Sequence, residues 1–311
     1  MAIKTSRAEG VANVVINYEK CSGCGLCVKV CKGAPLIMRE GKPTVDQSRL
    51  FGCIGCGKCL AVCPEDAISV DGRDLSAADV LPIAPREQRA SYEQLHNLML
   101  ARRSTREFSS REVERDMVDQ IIEAASSAPM GVPPSDVSVM VWHGRARVRE
   151  LRDALLADLK KIRPFVSHSS LKLMSPFMKR ESYEMFDTFI VPTMETFIAM
   201  EAEGSDWWLY NAPLAVYFYC SPYSDPADPF IAATYAMLAG EALGLGSIMI
   251  GTSGIFFKYS RRLRQLYNIP ANAQQGLMVL FGYPAVKYRK SIRRRFARVD
   301  VLGEDSIPGQ N

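Results

Sequence analysis

The sequence lacks the two features that would direct it into or across a membrane. No run approaches the roughly 18 consecutive apolar residues that span a bilayer. The first ten residues contain Lys4, Arg7 and Glu9 but no apolar stretch, which predicts no secretory signal. We therefore expect a cytoplasmic protein without a membrane partner.

The chain also lacks a large excess of either positive or negative charge, and it contains little histidine. It has 38 basic and 34 acidic residues, a net charge of +4, and three histidines that belong to no recognisable motif. This balance does not indicate nucleic acid as a partner. No Gly-x-Gly-x-x-Gly follows a predicted strand, so a dedicated Rossmann site is not visible. The length of 311 residues and a hydrophobic content of 48% predict a globular protein of about two domains.

Cysteine, in contrast, is abundant and unevenly placed. Eight of the nine cysteines lie between Cys21 and Cys63, and Cys220 stands alone. They form two runs of the pattern Cys-x2-Cys-x2-Cys-x3-Cys, and each cysteine of the second run lies 32 residues after its counterpart in the first. Disulfides are disfavoured in a cytoplasmic protein. Structural zinc, the remaining alternative to clusters, requires neither the x3 step nor the repeat.

These runs resemble those of bacterial ferredoxins with two [4Fe–4S] clusters, over about residues 14–70. In that motif, the fourth cysteine of each run binds the cluster of the other run. The resemblance predicts two ligand sets, Cys21, Cys24, Cys27 with Cys63, and Cys53, Cys56, Cys59 with Cys31. Val14–Ile16 and Ile68–Val70 would form flanking strands, and Lys32 stands where proline is usual.

A change in composition separates this module from the rest of the chain. Asp71-Gly72 is a turn signal, and Pro82 and Pro85 interrupt any helix. The segment Ser91–Gln94 then has the pattern of a capping box, which marks the start of a helix. We expect a two-cluster ferredoxin domain at 1–75, a linker at 76–90 and a second domain at 91–311.

The predicted helix leads into a basic pentapeptide, Arg102 to Arg106. In an extended chain the side chains alternate, so Arg102, Ser104 and Arg106 would lie on one side. Two guanidinium groups and a hydroxyl on one side suit a phosphate monoester. The alternative is a solvated basic helix end that is favoured by the helix dipole.

The remaining pattern predicts an α+β domain, with helices that cover a mainly antiparallel or mixed sheet. Apolar periodicity predicts helices at 113–125, 151–159, 230–243 and 260–267, and strands at 137–142, 215–220, 247–250 and 276–281. A proline-rich loop at 128–135 follows the first of these helices. Residues 163–206 are irregular, and 251–254 predict a loop. Trp207-Trp208 would either line a substrate pocket or anchor the core or a subunit interface.

This series resembles the nitroreductase family of flavoproteins over about residues 90–300. The residues that carry the resemblance are Arg102–Phe108, Ala125–Pro129, Gly244–Ser247 with Ile250-Gly251, and Gly282–Pro284. The resemblance implies a homodimer with FMN bound at the subunit interface. The chain departs from the family pattern at Met130–Pro134, where many members have serines and an asparagine.

The same resemblance implies which residues bind FMN. Its phosphate and ring edge would be bound by Arg102, Arg103, Ser104 and Arg106. Pro129, Met130 and Gly131 would lie over the isoalloxazine, and backbone near Gly251 and Thr252 would face the flavin N5. Arg293 and Arg294 would complete the phosphate site. No catalytic side chain is predicted.

Clusters and a flavin in one chain indicate a redox function, because clusters pass single electrons and a flavin stores two. The leading hypothesis is an FMN-dependent oxidoreductase that is fed by ferredoxin or another low-potential donor and reduces nitroaromatics, quinones or similar planar acceptors. One alternative is a diaphorase of the same family, in which NAD(P)H reduces the FMN and the clusters carry electrons outward. The other is an electron-transfer subunit without a substrate of its own.

Overall fold

The computed structural model describes residues 3–31 and 35–302, and Lys32 lies outside these ranges. Within them, a small hydrophobic core surrounds the cysteines, and two larger cores lie on the two faces of a separate β-sheet. No helix in the described ranges combines the length and the apolar character that crossing a membrane requires.

The cysteine-rich region consists of short elements that repeat. Its strands and helices are β1 Asn13–Ile16, α1 Leu26–Val30, β2 Leu36–Arg39, β3 Lys42–Val45, α2 Lys58–Val62 and β4 Ile68–Asp71. The two flanking strands that the sequence predicts, β1 and β4, pair antiparallel, and β2 and β3 form a hairpin. Helices α1 and α2 begin after left-handed glycines, Gly25 with φ 71° and Gly57 with φ 69°. Glycine enters this conformation without steric cost, so the backbone itself repeats.

The segment between the two regions is mostly exposed. Two 3-10 turns, Ala77–Asp79 and Arg86–Gln88, precede α3, Tyr92–Ala101. The predicted capping box is present, since Ser91 Oγ accepts a hydrogen bond from Gln94 N at 3.2 Å and Gln94 Oε1 accepts one from Ser91 N at 2.8 Å. No residue of α3 is buried, although the helix contains several large apolar side chains.

The second region is built around one four-stranded antiparallel sheet. Its elements are α4 Arg115–Ser126, β5 Val137–His143, α5 Arg145–Ile162, α6 His168–Met174, α7 Arg180–Met185, α8 Val191–Ala202, β6 Leu214–Cys220, α9 Asp228–Ala242, β7 Gly246–Ile250, α10 Gly251–Tyr259, α11 Arg261–Leu266 and β8 Leu277–Gly282. The strand order is β5-β6-β8-β7. The α+β class that the sequence predicts is therefore confirmed, with an antiparallel sheet.

The central strands β6 and β8 are buried on both faces, which explains their continuous apolar sequence. Successive side chains point to opposite faces. Val216 and Phe218 contact the core formed with α4 and α9, whereas Ala215 and Tyr217 contact the core formed with α5 and α10. The sheet is thus covered on both sides, and ligand sites are left at its edges and ends.

The structure differs from two sequence-based expectations. Residues 163–206 are largely helical, with α6, α7, a π-helical turn at Phe186–Ile190 and α8. These helices keep many large apolar side chains exposed, which hides their period in the sequence. The expected loop at 251–254 is the start of α10, where Gly254 lies so close to the Gly276 carbonyl that a Cβ would overlap it. Close packing, rather than a turn, accounts for that glycine.

Candidate functional site

The eight clustered cysteines line two separate cavities. One cavity is lined by Cys21, Cys24, Cys27 and Cys63. The other is lined by Cys31, Cys53, Cys56 and Cys59. The structure therefore groups the thiols in the two crossed sets that the sequence predicts, and we refer to them as the first and the second thiol set. Their role as cluster ligands stays a prediction.

Neither thiol set forms a recognisable site for a single metal ion in the part of the chain that the structure describes. Among the described residues, no three His, Cys, Asp or Glu side chains are arranged to hold one ion. In a [4Fe–4S] cluster each thiolate binds a different iron, so the sulfurs surround a shared core. Burial, together with the neighbouring Cys53 and Cys56, raises the pKa of Cys59 to about 12. Metal ions would supply the positive charge that such buried thiolates require.

A cleft of about 640 Å³ separates the second thiol set from the sheet domain. Gly55, Cys56 and Arg73 line it from the cysteine-rich side, and Pro129 and Met130 of the proline loop line it from the other side. No cysteine of the first set lines this cleft. The volume of this cleft is that of a small-molecule pocket. The cleft also brings a predicted cluster ligand, Cys56, and two predicted flavin contacts, Pro129 and Met130, to one space.

Hydrogen bonds from the amino-terminal segment hold the two walls of the cleft together. The amide and hydroxyl of Ser6 both donate to the Asp136 carboxylate, at 2.8 and 2.7 Å, and the Ser221 hydroxyl donates to it at 2.7 Å. Burial by itself would raise the pKa of Asp136, but these hydrogen bonds outweigh that effect and lower it. A charged carboxylate therefore joins the first residues of the chain to the sheet domain.

Arg73 makes a second connection across the same joint. Its guanidinium donates from Nε to Ile54 O at 3.1 Å, from Nη1 to Gly10 O at 2.8 Å and from Nη2 to Pro133 O at 2.9 Å. The residue is only 6% exposed. Sequence reasoning missed both Arg73 and Asp136, because each is a single charged residue in a loop. The signal for Arg73 was its position in the 32-residue repeat.

The basic pentapeptide leaves α3 in extended conformation, as the alternation argument requires. Ser104 forms a parallel bridge with Ser247 of β7, and Thr105 N donates to Ser247 O at 3.0 Å. Thr105 is buried against Gly246, where a Cβ would overlap its hydroxyl. The glycine therefore allows the pentapeptide to lie flat against the sheet, and Arg102, Arg103 and Ser104 stay partly exposed.

A second cleft, of about 480 Å³, lies beside this pentapeptide. It is lined by Arg103, Thr105 and Glu241 and by basic residues after β8, namely Lys287, Arg289 and Lys290. Burial lowers the pKa of Arg102, the nearby positive charges of Arg294 and Arg103 lower it further, and the Glu241 carboxylate offsets part of this effect. Guanidinium groups that repel one another in this way are stabilised by a bound anion. The donor set therefore fits a phosphate group.

The other predicted flavin contacts lie apart from this basic cleft. Pro129 and Met130 line the 640 Å³ cleft instead, and Gly131 N donates to Asp228 at 3.4 Å. Arg106 lies against the Tyr210 ring, with 5.9 Å between the guanidinium carbon and the ring centroid. Within one chain, Arg103 of the predicted phosphate contacts and Pro129 and Met130 of the predicted ring contacts therefore line different clefts.

The segment after α8 contacts both the pentapeptide, through Tyr210 and Arg106, and the start of α10. Thr252 Oγ1 accepts a hydrogen bond from Trp208 Nε1 at 3.1 Å. Trp208 is buried and stacks on Phe197 at 5.0 Å between ring centroids, which identifies it as a core residue. Trp207 is half exposed and remains available to a ligand. Gly251 begins α10, and a Cβ on it would meet no other atom within 4 Å.

Comparisons with known families divide the chain in the same way. Residues 99–283 match the Nitroreductase family, and residues 20–68 match the 4Fe-4S dicluster domain. The first match covers more than half of the chain. No curated protein sequence matches this chain.

Solved structures resemble the second region at low sequence identity. A nitroreductase with bound FMN from Bacteroides fragilis is 18% identical, with a TM-score of 0.49, and the match covers 68% of this chain and 99% of that one. For a nitroreductase with bound FMN from Desulfitobacterium hafniense the values are 20%, 0.46, 67% and 98%. For an FMN-dependent nitroreductase from Clostridium difficile they are 17%, 0.46, 68% and 100%.

Proposed function

Because the chain belongs to the nitroreductase family and carries an N-terminal 4Fe-4S dicluster domain, we propose that it is an FMN-dependent oxidoreductase fed through two [4Fe–4S] clusters. It would reduce planar acceptors such as nitroaromatics or quinones by two electrons. The observation that carries this proposal is the 640 Å³ cleft, where Cys56 of the second thiol set and Met130 of the proline loop line one space. Family membership also confirms the resemblance and the oxidoreductase class that the sequence predicts.

In this proposal the cysteines hold the clusters and the basic cleft holds the flavin phosphate. Arg102, Arg103 and Ser104 would bind the phosphate together with Arg294, whose charge already acts on Arg102. Pro129 and Met130 would exclude water from one face of the flavin ring. FMN supplies the two-electron chemistry when bound, and each cluster transfers one electron at a time. The protein contributes position and electrostatics.

We also propose that the functional unit is a homodimer. Arg103 and the ring contacts Pro129 and Met130 line different clefts of one chain, and a second copy would bring one set to the other. Helix α3 has no buried residue, and residues 285–302 after β8 are exposed throughout the segment. Both would be covered in a dimer, since exposed apolar surface of this extent marks an interaction site.

Anaerobic purification followed by iron, sulfide and flavin analysis tests the composition. We expect about eight irons and one FMN per chain. A protein with clusters but no flavin would contradict the oxidoreductase proposal and support the electron-transfer subunit.

The direction of electron flow has a separate test. Flavin bleaching is measured anaerobically with reduced ferredoxin, with NADH and with NADPH, and each reduced sample is then mixed with a nitroaromatic or a quinone. Bleaching by reduced ferredoxin with re-oxidation by the acceptor is expected. Faster bleaching by NADH or NADPH would favour the diaphorase instead.

A further inference from the structure

The two halves of the cysteine-rich region differ at one structurally equivalent position. Strand β4 follows β2 by the same 32 residues as the cysteines do, and each strand runs into a turn with positive φ angles. In the first half the residues with positive φ are Glu40 and Gly41, at 47° and 76°. In the second half their counterparts are Gly72 and Arg73, at 97° and 54°, and Asp74 adds a third positive φ of 62°. Arg73 thus occupies the place that Gly41 has in the first half.

The backbone at this position favours glycine. A left-handed conformation is strained for an L-residue with a Cβ and free of that strain for glycine. The equivalence extends to the cysteine loops, since a Cβ on Gly23 would lie 2.8 Å from Gly41 O, and one on Gly55 would lie 3.2 Å from Arg73 Cβ. The arginine side chain, rather than the turn, therefore accounts for the residue found there.

That side chain places a buried positive charge beside the second thiol set. Its Nε donates to the carbonyl of Ile54, the residue directly after Cys53. Among the described residues no carboxylate forms an ion pair with Arg73, and the adjacent Asp74 pairs with Arg7 instead. A buried charge without a partner is costly. The negative charge that would balance it is that of a reduced cluster in the second thiol set.

Arg73 also faces the sheet domain. It lines the 640 Å³ cleft together with Gly55 and Cys56, and it donates to the Pro133 carbonyl in the proline loop. The first thiol set has no cysteine in this cleft. The second set is therefore the one adjacent to the predicted flavin contacts, and Arg73 lies between them.

We propose that Arg73 is a positioning residue that makes the second cluster the exit cluster, by stabilising its reduced form over that of the first cluster. This inference rests on the proposed function. One electron from a low-potential one-electron carrier reduces the first cluster. That cluster is oxidised again as the second is reduced, and the second then gives the electron to FMN. Two such electrons and solvent protons complete the reduction of the flavin. A nearby positive charge favours the added electron, which sets this order.

Arg73→Gly and Arg73→Lys separate the charge from the backbone. Arg73→Gly installs the residue of the first half, so the turn is relieved of strain and the domain is expected to fold. It removes the charge, and the ratio of reduced to oxidised second cluster at a fixed potential should fall by about tenfold, the order expected for one unit charge about 12 Å from the cluster at an effective dielectric near 20. Arg73→Lys keeps the charge and should retain most of that ratio.

The measurement is an anaerobic redox titration of the holoprotein, followed by electron paramagnetic resonance. Cys24→Ser and Cys56→Ser, a pair separated by the 32-residue repeat, assign the signals, since each perturbs its own cluster. Arg39→Ala, which removes an exposed cation from the equivalent strand of the first half, is the control and should shift neither cluster. In the Arg73→Gly protein, the ratio of reduced to oxidised first cluster should stay within about twofold of its value in the parent protein. This change is smaller than the change of about tenfold expected for the second cluster.

Three outcomes would overturn the inference: unchanged clusters in Arg73→Gly, an equal shift of both clusters, or an Arg73→Lys protein that behaves as Arg73→Gly. Flavin content is measured on the same samples. A protein with intact clusters but no FMN contradicts the proposed function and leaves the effect of Arg73 on the second cluster testable. The two ideas therefore fail separately.

Discussion

The cysteine-rich region and the sheet domain build their candidate sites in opposite ways. Eight thiols within a stretch of 43 residues line two cavities in one chain, in the sets that their spacing predicts. The predicted flavin contacts come from segments between Arg102 and Arg294, and those that line a cleft, Arg103 on one side and Pro129 and Met130 on the other, line separate ones. A short repeat thus specifies a complete local site, whereas dispersed residues depend on tertiary and quaternary contacts.

The cavities and clefts also differ in charge. The second thiol set includes buried thiols that become anionic when they bind metal as thiolates. The buried guanidinium of Arg73 lies next to them. The cleft beside the pentapeptide collects cations, and burial lowers the pKa of Arg102. Each therefore needs a partner of opposite charge, iron in the first case and an anion such as phosphate in the second.

The largest expected effect comes from removing a cysteine of the second thiol set. Cys53→Ala should remove the second cluster, with about four fewer irons per chain, and destabilise the cysteine-rich region, because Cys53 belongs to its small core. The measurement is iron analysis with thermal unfolding. Cys220→Ala is the matched control, since this buried cysteine lies in β6, outside both thiol sets, and full iron content is expected. Equal iron loss in both variants would contradict the assignment.

The next effect addresses the shared site. Leu95 and Met99 lie on α3 and are 42% and 47% exposed. Replacing both by glutamate places charge in the proposed subunit interface, which should give monomers and weaken FMN binding by about a hundredfold. Sedimentation and flavin titration are the measurements. Leu50→Glu, at a 68% exposed position of the cysteine-rich region, should stay dimeric. A monomer with normal FMN affinity would show that one chain completes the site.

A smaller effect distinguishes two neighbouring arginines. The charge of Arg294 acts on the half-buried Arg102, whereas Arg293 is exposed and makes no such contribution. Arg294→Ala should weaken FMN binding by about tenfold, the value of one charge-assisted hydrogen bond, and Arg293→Ala by much less. Equilibrium titration with FMN gives both values. The reverse order would mean that the phosphate lies elsewhere.

The smallest effect concerns the joint between the two regions. Asp136→Asn removes the charge that accepts hydrogen bonds from Ser6 and Ser221 and should cost about 1–2 kcal/mol at neutral pH. Because the folded pKa of Asp136 is lowered, its contribution is full above the unfolded pKa and is lost as the pH falls through the folded pKa. Protection of the Ser6 amide against hydrogen exchange is the measurement.

The control for this prediction is Asp119→Asn, on the exposed face of α4, which should leave that amide protected at neutral pH and let it lose protection in acid as the parent protein does. In the Asp136→Asn protein the Ser6 amide should be unprotected to the same extent throughout the acid range in which Asp136 would titrate. Equal exchange of the Ser6 amide in the Asp136→Asn and Asp119→Asn proteins would show that Asp136 does not hold the amino-terminal segment.

Sequence reasoning was most successful where one local pattern determines the structure. The capping box at Ser91 and the flanking strands of the cysteine-rich region were predicted and are present. The central strands were placed within one or two residues, because a strand buried on both faces has an apolar run with clear ends. The crossed grouping of the thiols followed from the resemblance of the two cysteine runs to a ferredoxin motif.

It failed where long-range packing determines the structure. Gly254 lies within a helix, and it is a glycine because the Gly276 carbonyl packs against it. Nothing adjacent in the sequence indicates that contact. The helices within residues 163–206 leave apolar side chains exposed, so their periodicity is weak. Arg73 and Asp136 could not be recognised as partners of Pro133 and Ser6, residues 60 and 130 positions away.

The linear order of residues was sufficient for the crossed grouping of the thiols and for the family, because a known motif with offsets of two and three residues places the side chains of a short loop. The joint between the two regions and the separation of the flavin contacts into two clefts required the folded chain. Their hydrogen bonds and burial connect residues that are distant in sequence, and that distance leaves no periodic signal to read.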